Sequence, residues 1–347
     1  MRVDNMAADK MAGDILLKVS DLKVHFALGG GLLRRAQKYV KAVDGVSFQV
    51  PRGTTFGIVG ESGSGKTTTA LAVMRLVKHS AGQIHLGDAD IGNASGEALR
   101  LQRRRFQMVF QDPFASLNPR KRAGDAVREA MDLMDAGRPE DRPARVAELF
   151  AAVGLRPEQH ALFPHQFSGG QRQRIVLARA LAAHPELVVC DEPVSALDVA
   201  IQAQILNLMQ RLQRDLGLTY LFISHDLGVV RHMCDQVAVM YLGVIVEMAD
   251  RDTLFSRPLH PYTVALWSAA PRFDPRQRGR GQRIRLAGDP PSPIDLPPGC
   301  RFAGRCPAAE AACAEGEPPL REVEPGHWVR CRRIDVVDGR AQPILRS

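Results

Sequence analysis

Apolar and polar positions alternate along the first part of the chain, with the period of two that a half-buried β-strand requires. Two runs carry this pattern, and their apolar positions are Leu22, Val24 and Phe26 in the first and Val46, Phe48 and Val50 in the second. A third run, residues 56–59, is apolar or glycine throughout and is followed by another glycine. Residues 15–110 are therefore predicted to contain mainly strands, with a helix over residues 66–77.

Helical periodicity dominates the middle of the chain. Residues 112–167 contain helical patterns such as 144–153, interrupted by proline and glycine. From residue 168 onward helices alternate with short apolar strands. Helices are predicted over 171–183 and 201–216, and strands over 187–190, 220–223 and 237–240. This alternation predicts an α/β fold with a mostly parallel sheet that is covered on both faces.

A glycine-rich loop connects the predicted strand at 56–59 to the helix that follows. Its sequence is Gly60-Glu61-Ser62-Gly63-Ser64-Gly65-Lys66-Thr67, a phosphate-loop pattern in the strand–loop–helix context that the pattern needs. Glycines let successive backbone N–H groups turn inward around the β- and γ-phosphates, and the helix N-terminus adds partial positive charge. The loop therefore predicts a nucleoside triphosphatase.

Polar side chains at the end of this loop have separate chemical tasks. Lys66 is expected to neutralise phosphate oxygens, and the Thr67 hydroxyl is expected to complete the coordination shell of Mg²⁺. Thr68, the next residue, is also expected to bind the nucleotide.

Two adjacent carboxylates follow a predicted buried strand. Leu187-Val188-Val189-Cys190 leads directly into Asp191 and Glu192. Ligands of a doubly wound sheet bind at the carboxyl ends of its strands, so both carboxylates are expected at the nucleotide. Asp191 is suited to hold Mg²⁺, directly or through water, and Glu192 to orient and polarise the attacking water.

Composition narrows the class of protein. The chain of 347 residues contains no signal-peptide core and no apolar run approaching the ~18 residues needed to cross a bilayer, so a cytosolic protein is expected. A net charge of +8 could favour nucleic acid, but six arginines lie together in residues 271–285 among glycine, glutamine and proline. That composition is typical of a solvated linker, and contact with acidic lipid or a partner is the alternative. Cys190 and Cys234 lie in apolar runs and are predicted core residues.

Several motifs, in the expected order, resemble those of the ABC ATPases. Ser168-Gly169-Gly170-Gln171 is similar to the family signature, with Phe167 where leucine is commonest. In that family the signature covers the γ-phosphate held by the phosphate loop of a second subunit. Gln111 resembles the glutamine that senses Mg²⁺, Asp198 lies in a run similar to the loop that couples the two sites, and His225 resembles the switch histidine at the γ-phosphate.

The resemblance also implies a fold and a division into domains. Members of this family combine a mostly parallel RecA-like core sheet with an antiparallel β subdomain and a helical subdomain, and they bind ATP with Mg²⁺. We therefore expect an ABC-type P-loop ATPase domain over residues 15–257, with the helical subdomain at about 112–167. Glu192, His225 and Lys66 are the catalytic residues that the resemblance implies.

An aromatic residue upstream of the phosphate loop usually stacks on adenine in this family. Tyr39 is the nearest candidate, although it lies slightly close to the strand at 43–48. Phe26 also lies upstream of the loop, and we interpret it as a core residue.

Longer runs narrow the resemblance to the ATP-binding subunits of dipeptide and oligopeptide importers. These runs are residues 111–119, 164–168, 259–263 and 288–293, and residues 191–198 and 220–225 resemble the second of the two unlike ATPases of such importers. The resemblance implies a subunit at the cytoplasmic face of the bacterial inner membrane. Its implied partners are two membrane permease subunits and a sister ATPase, in a system with an extracytoplasmic peptide-binding protein.

Two rival functions remain. Relatives in this transporter class also serve glutathione, nickel or antimicrobial peptides. A soluble ABC ATPase acting on ribosomes or nucleic acid belongs to another class, but such proteins usually fuse two ATPase units or insert a long coiled coil. This sequence contains neither, so no nucleic-acid partner is expected.

Four cysteines lie in the C-terminal extension predicted over residues 258–347: Cys300, Cys306, Cys313 and Cys331. Four thiolates can bind Zn²⁺ or a [4Fe–4S] cluster. The short Cys-x2–4-Cys hooks of most zinc sites are missing, which disfavours zinc, and free buried thiols are the third alternative. Related importer ATPases carry a similar cysteine set, and the resemblance implies an iron–sulfur cluster with a structural role.

Overall fold

The structure is a computed structural model that describes residues 14–29, 38–269, 284, 286 and 288–343. Its strands are β1 (Ile15–Leu28), β2 (Lys38–Pro51), β3 (Thr55–Val59), β4 (Ala81–Leu86), β5 (Ala89–Asp90), β6 (Phe106–Val109), β7 (Leu187–Asp191), β8 (Thr219–Ile223), β9 (Gln236–Tyr241), β10 (Val244–Asp250), β11 (Arg321–Glu324), β12 (His327–Val329), β13 (Ile334–Val337) and β14 (Arg340–Pro343). Its α-helices are α1 (Lys66–Val73), α2 (Gly96–Gln102), α3 (Pro113–Ser116), α4 (Ala123–Met134), α5 (Arg142–Ala152), α6 (Gly169–Leu181), α7 (Val199–Leu216), α8 (Leu227–Met233), α9 (Arg251–Ser256) and α10 (Pro261–Ser268). Most of the arginine-rich segment, residues 271–283 and 285, lies outside the described residues.

The described chain divides into two compact units, each made of several chain segments. The first unit comprises residues 14–18, 49–55 and 84–223, and the second comprises 19–48, 56–83 and the residues from 224 onward. The predicted domain bounds, 15–257 and 258–347, remain predictions. None of the helices in the described ranges has both the length and the hydrophobicity needed to span a membrane.

Parallel strands form the centre of the first unit. β6, β7 and β8 are neighbours in that order, with Phe106 opposite Leu187 and Leu187 opposite Thr219. Every residue of β7 and β8 is buried, as expected for strands covered on both faces. Because the three strands are parallel, the residues after β6, β7 and β8 emerge at the same edge of the sheet. In the same unit, residues 112–167 contain α3 to α5 and two 3₁₀ turns, Pro157–Ala161 and Pro164–Gln166.

The second unit combines parallel and antiparallel pairing. β3 pairs in parallel with β9, β10 is antiparallel to β9 and to β12, and β11 is antiparallel to β12. The C-terminal strands β11 and β12 thus extend the sheet that carries β3. A mixed α/β architecture with a parallel centre and antiparallel additions confirms the predicted fold class.

The apolar patterns located the elements well, with two errors. Leu22 and Val24 are buried, but Phe26 is 42% exposed, so its interpretation as a core residue is wrong. Alternation of apolar and polar residues shows which side chains share a face of the strand. It does not show how far along the strand other segments cover that face. The helix predicted to reach Val77 ends at Val73 because Arg75 adopts a left-handed backbone, with φ of 55°. Cys190 and Cys234 are fully buried, as predicted.

A buried carboxylate fixes the start of α10. Glu247 on β10 is fully buried, and it accepts hydrogen bonds from the backbone N–H groups of Leu259 (2.7 Å) and His260 (2.9 Å). The His327 Nε2 on β12 lies 2.8 Å from the same carboxylate. Burial lowers the pKa of His260 to about 3, so its ring is neutral and its Nδ1 accepts the Tyr262 N–H at 3.1 Å.

Glu247→Ala is expected to lower the free energy of unfolding by ~3–5 kcal/mol, because it leaves two buried N–H donors and His327 without their acceptor. Urea unfolding followed by circular dichroism measures the change. Glu247→Gln is the matched control, since its amide oxygen preserves one acceptor at nearly the same volume and should cost less. If the alanine variant lost under ~0.5 kcal/mol, this anchoring role would be wrong.

Candidate functional site: a phosphate loop and two paired carboxylates

The phosphate loop needs glycine at two closely packed positions of the second unit. Gly60 has φ of 154°, and a Cβ there would lie 2.2 Å from the Met240 carbonyl oxygen. Gly65 has φ of 104°, and a Cβ there would lie 2.2 Å from the Ala42 carbonyl oxygen. No side chain larger than hydrogen fits at either place without moving backbone, so the loop shape predicted from the sequence depends on these glycines.

Lys66 begins α1 and turns back into the loop. Its side chain is buried, and its ammonium donates to the carbonyl oxygens of Gly60 (2.9 Å) and Glu61 (2.8 Å). These contacts hold a positive charge inside a ring of backbone, where a phosphate can replace the carbonyl oxygens as partner. Thr67 is exposed at the first turn of the helix and Thr68 is half-buried, so the Thr67 hydroxyl is accessible to a metal ion.

Two serines of the loop differ in exposure. Ser62 is exposed, whereas Ser64 is 3% exposed, and its hydroxyl has no hydrogen-bond partner within the described residues. The Ser64 carbonyl oxygen accepts the Gly243 N–H at 2.9 Å, which attaches the loop to the turn between β9 and β10.

His225 and Tyr39 also belong to the second unit. His225 is exposed, between Ser224, whose N–H donates to the Ile58 carbonyl at 3.3 Å, and Asp226, which caps α8. Its neighbours on both sides are therefore held in place while its ring is accessible. Tyr39, near the start of β2, is 47% exposed. The roles of both residues remain predictions.

Gln111 and Glu192 come together at one edge of the first unit's sheet. Gln111 follows β6, Glu192 follows β7, and the Gln111 amide nitrogen lies 3.2 Å from the Glu192 carboxylate. The Glu192 N–H donates to the Ile223 carbonyl oxygen at 2.9 Å, and its backbone is left-handed with φ of 48°. Asp191, the last residue of β7, is 6% exposed. A fixed carboxylate beside an amide, at the strand ends of a parallel sheet, can orient water and a metal ion.

The signature-like run forms the start of α6. Ser168 caps the helix: its hydroxyl accepts the Gln171 N–H (3.3 Å), and its own N–H donates to the Gln171 side chain (3.0 Å). Gly170 is buried, and a Cβ there would lie 2.5 Å from a methyl group of Ile201 on α7. Phe167, at the position of the usual leucine, is buried. The helix N-terminus, with Ser168 exposed and Gly169 half-buried, is suited to an anion.

Asp198 caps the neighbouring helix α7, and its carboxylate accepts the Ile201 N–H at 2.9 Å. It is exposed and is followed by Val199, which is 81% exposed. The run that resembles the coupling loop is therefore at the surface of the first unit.

The four C-terminal cysteines converge in the second unit. All four line one cavity of about 20 Å³, together with Arg332 and Arg333. Burial raises the pKa of the thiols of Cys300 and Cys306, and raises that of Cys331 to about 11. Within the described ranges no group of three or more His, Cys, Asp or Glu residues has the arrangement of a metal site. Four thiols that converge on one cavity nevertheless match the donor set of a tetrathiolate group chemically.

Two contacts to the phosphate loop were missed by sequence reasoning. The Glu61 N–H donates to the Tyr262 hydroxyl at 2.9 Å, and the Glu61 carboxylate pairs with Arg305 at 2.8 Å. Tyr262 lies in the run 259–263, which in the sequence indicates only a resemblance to peptide-importer ATPases. No sequence pattern connects Arg305 to a loop 244 positions earlier.

Comparison with known proteins places these motifs in one family. The ABC transporter family matches residues 43–195, which include the phosphate loop, Gln111, the signature-like run and both carboxylates. The chain is also 50% identical over 319 residues to the oligopeptide transport ATP-binding protein AppF of Bacillus subtilis (strain 168), covering 92% of this chain and 97% of that protein. The chain belongs to the ABC transporter family. As a member of this family of transport ATPases, it binds ATP and Mg²⁺.

Other similarities reach beyond the ABC ATPase region. The C-terminal region of oligopeptide/dipeptide transporters matches residues 246–313. The dipeptide transport ATP-binding protein DppF of Escherichia coli (strain K12) is 44% identical, covering 92% of this chain and 95% of that protein. Among solved structures, a post-hydrolysis dimer of the ATP-binding cassette MJ0796 bound to ADP and Pi is similar with a TM-score of 0.60 and 25% identity. The region of similarity covers 68% of this chain and 99% of the chain in that solved structure.

Proposed function

We propose that this chain is the ATP-hydrolysing subunit of an ABC importer for dipeptides or oligopeptides. The observation that carries the proposal is similarity over nearly the full length of an oligopeptide transport ATP-binding protein, including the C-terminal region of that class.

In this proposal each residue of the site has its own role in ATP hydrolysis. Backbone N–H groups of the phosphate loop other than that of Glu61, together with the Lys66 ammonium, bind the phosphates, and Thr67, Gln111 and Asp191 bind Mg²⁺. Glu192 accepts the proton of the attacking water, and His225 contacts the γ-phosphate. Mg²⁺, when bound, neutralises charge that develops on the phosphate oxygens.

We further propose that the chain acts as one member of a pair. Its signature, Ser168 to Gln171, binds the γ-phosphate held by a sister ATPase, and Asp198 lies at the contact between the two subunits. Two membrane permease subunits hold this pair at the cytoplasmic face of the inner membrane, and an extracytoplasmic protein delivers the peptide. Tyr39 stacks on the adenine of this chain's own ATP.

Uptake and co-purification test the proposal together. Cells lacking this chain should lose uptake of labelled di- and tripeptides, and the tagged chain should co-purify with permease subunits and a second ATPase from detergent extracts. Normal peptide uptake in the deletion strain, or co-purification with ribosomes or nucleic acid in place of permeases, would contradict it.

For the four C-terminal cysteines we propose an iron–sulfur cluster with a structural role. The convergence of four thiols and two arginines on one cavity supports it. Iron and acid-labile sulfide, measured on the full chain after anaerobic purification, should be present together at about four of each per chain. Zinc without sulfide, or neither metal, would contradict a cluster.

A further inference from the structure

One glutamate of the phosphate loop is held from the C-terminal part of the second unit. The Glu61 carboxylate faces Arg305, with Oε2 2.8 Å from one terminal guanidinium nitrogen and Oε1 3.3 Å from the other. The Arg305 side chain is only 9% exposed and that of Glu61 is 30% exposed. A two-point contact between a guanidinium and a carboxylate fixes orientation as well as distance, and here it is largely shielded from solvent.

The backbone of the same glutamate is held independently. Its N–H donates to the hydroxyl of Tyr262, which is fully buried. Tyr262 packs against Tyr241 and Phe302, with ring centroids 4.7 Å and 5.4 Å away. Both the side chain and the backbone of Glu61 are thus held by residues of the predicted C-terminal extension, 258–347.

Arg305 is itself on a short, well-fixed turn. The turn Ala303–Arg305 is a single 3₁₀ turn in which the Arg305 N–H donates to the Phe302 carbonyl at 3.0 Å. Its flanking residues Cys300 and Cys306 line the thiol cavity. The guanidinium also lies 3.4 Å from the Tyr241 hydroxyl, so the packed tyrosines support it.

The contact has a consequence for the charge that binds phosphate. The Lys66 ammonium donates to the carbonyl oxygens of Glu61 (2.8 Å) and Gly60 (2.9 Å). The location of the Glu61 backbone therefore decides where this ammonium rests before nucleotide binds. If the loop shifted, the Lys66 ammonium and the backbone N–H groups would no longer lie where they can bind a triphosphate.

We propose that Arg305 is a positioning residue of the phosphate loop: through Glu61 it holds the loop in the shape that receives ATP. The C-terminal segment 300–306 is then part of the machinery that sets ATP affinity, beyond any part it has in binding a partner or a cluster. The inference rests on the proposed role of Lys66 and its loop in binding ATP.

Equilibrium binding of MgATP to the purified full chain tests the proposal. Arg305→Gln should raise the Kd about 10-fold, because the free loop must be ordered when ATP binds. In the assembled transporter it should raise KM by a similar factor while kcat at saturating ATP changes less than ~2-fold, since the chemistry is untouched. Arg305→Lys, which keeps one charged contact, should restore the Kd to within ~3-fold of the original.

Arg257→Gln is the matched control. Arg257 holds the carboxylate of Glu324 through both terminal guanidinium nitrogens, the same kind of two-point contact that Arg305 makes with Glu61. Both residues of this control pair belong to the second unit, and neither lines the thiol cavity. The Kd of the control for MgATP should stay within ~2-fold of the original, and an equal loss in both variants would mean general destabilisation and overturn the proposal.

Two further variants separate this inference from the function on which it rests. Lys66→Ala should abolish measurable MgATP binding, and a chain that still bound normally would overturn the role of the loop itself. If Lys66→Ala behaves as expected but Arg305→Gln does not weaken binding, only the positioning role is wrong. Glu61→Gln combined with Arg305→Gln should be no worse than either single change, and additive losses would likewise contradict the coupling.

Discussion

A transporter assembled with Glu192→Gln in this chain is expected to bind ATP normally and hydrolyse it at least ~100-fold more slowly at this site. Glu192 is fixed by its N–H bond to Ile223 and by its contact with Gln111, so the variant should keep its geometry. Glutamine has nearly the same shape, but it cannot accept a proton from the attacking water. The expected product is therefore a trapped ATP complex, measurable as nucleotide that stays bound after gel filtration.

The assay needs a background in which the sister ATPase has its own hydrolysis disabled, so that the remaining turnover comes from this chain. Glu186→Gln is a suitable control, because Glu186 stands just before β7, at the opposite end of the strand from Glu192, and pairs with Arg52 and Arg105. These two guanidinium groups, Arg105 more than Arg52, outweigh desolvation and lower the pKa of Glu186. The control should lose some stability and keep turnover within ~2-fold. Near-normal hydrolysis by Glu192→Gln would refute its catalytic role.

The phosphate loop was predictable because its residues do their work through local geometry. Glycine at positions 60 and 65 adopts φ of 154° and 104°, and this local backbone requirement is visible in a short stretch of sequence. The carbonyl oxygens of Met240 and Ala42, which also exclude a Cβ there, come from distant segments and were not predictable. The signature-like run is local as well, since its serine and glutamine cap one helix reciprocally. Both motifs were recognisable because they depend on neighbours in the chain, and the roles of their residues remain predictions.

Contacts between distant parts of the chain were not predictable. The pairing of Glu61 with Arg305 joins two residues that no periodicity relates, and the buried Glu247 sits in a strand where an apolar residue would be expected. The prediction that Phe26 is buried was wrong for a related reason, since its exposure depends on where the segments that cover the strand end. The left-handed backbone of Glu192 is also invisible in the sequence, because a glutamate gives no sign that it adopts φ of 48°.

Gly169→Asp is expected to reduce ATP hydrolysis by the assembled pair at least ~100-fold while leaving this chain folded and able to bind ATP. Gly169 is the first residue of α6, where an acidic side chain stabilises the helix through its dipole. A Cβ there would meet only the end of the Leu197 side chain, at 3.4 Å, and that flexible end can move by a few tenths of an ångström. The same carboxylate would repel the γ-phosphate that the signature is proposed to bind on the sister subunit. Phosphate release by the assembly and MgATP binding by the isolated chain measure the two effects.

Gly169→Asn separates charge from shape. Asparagine has nearly the volume of aspartate and caps or begins helices well, but it has no charge to repel a phosphate. It should therefore retain at least ~10-fold more hydrolysis than the aspartate variant if electrostatic repulsion is the cause. Equal losses in both variants would point to steric obstruction of the pair, and full activity of Gly169→Asp would mean that this helix N-terminus receives no phosphate. Because the isolated chain keeps its own phosphate loop intact, weakened ATP binding by Gly169→Asp alone would also contradict a signature that acts only on the partner's nucleotide.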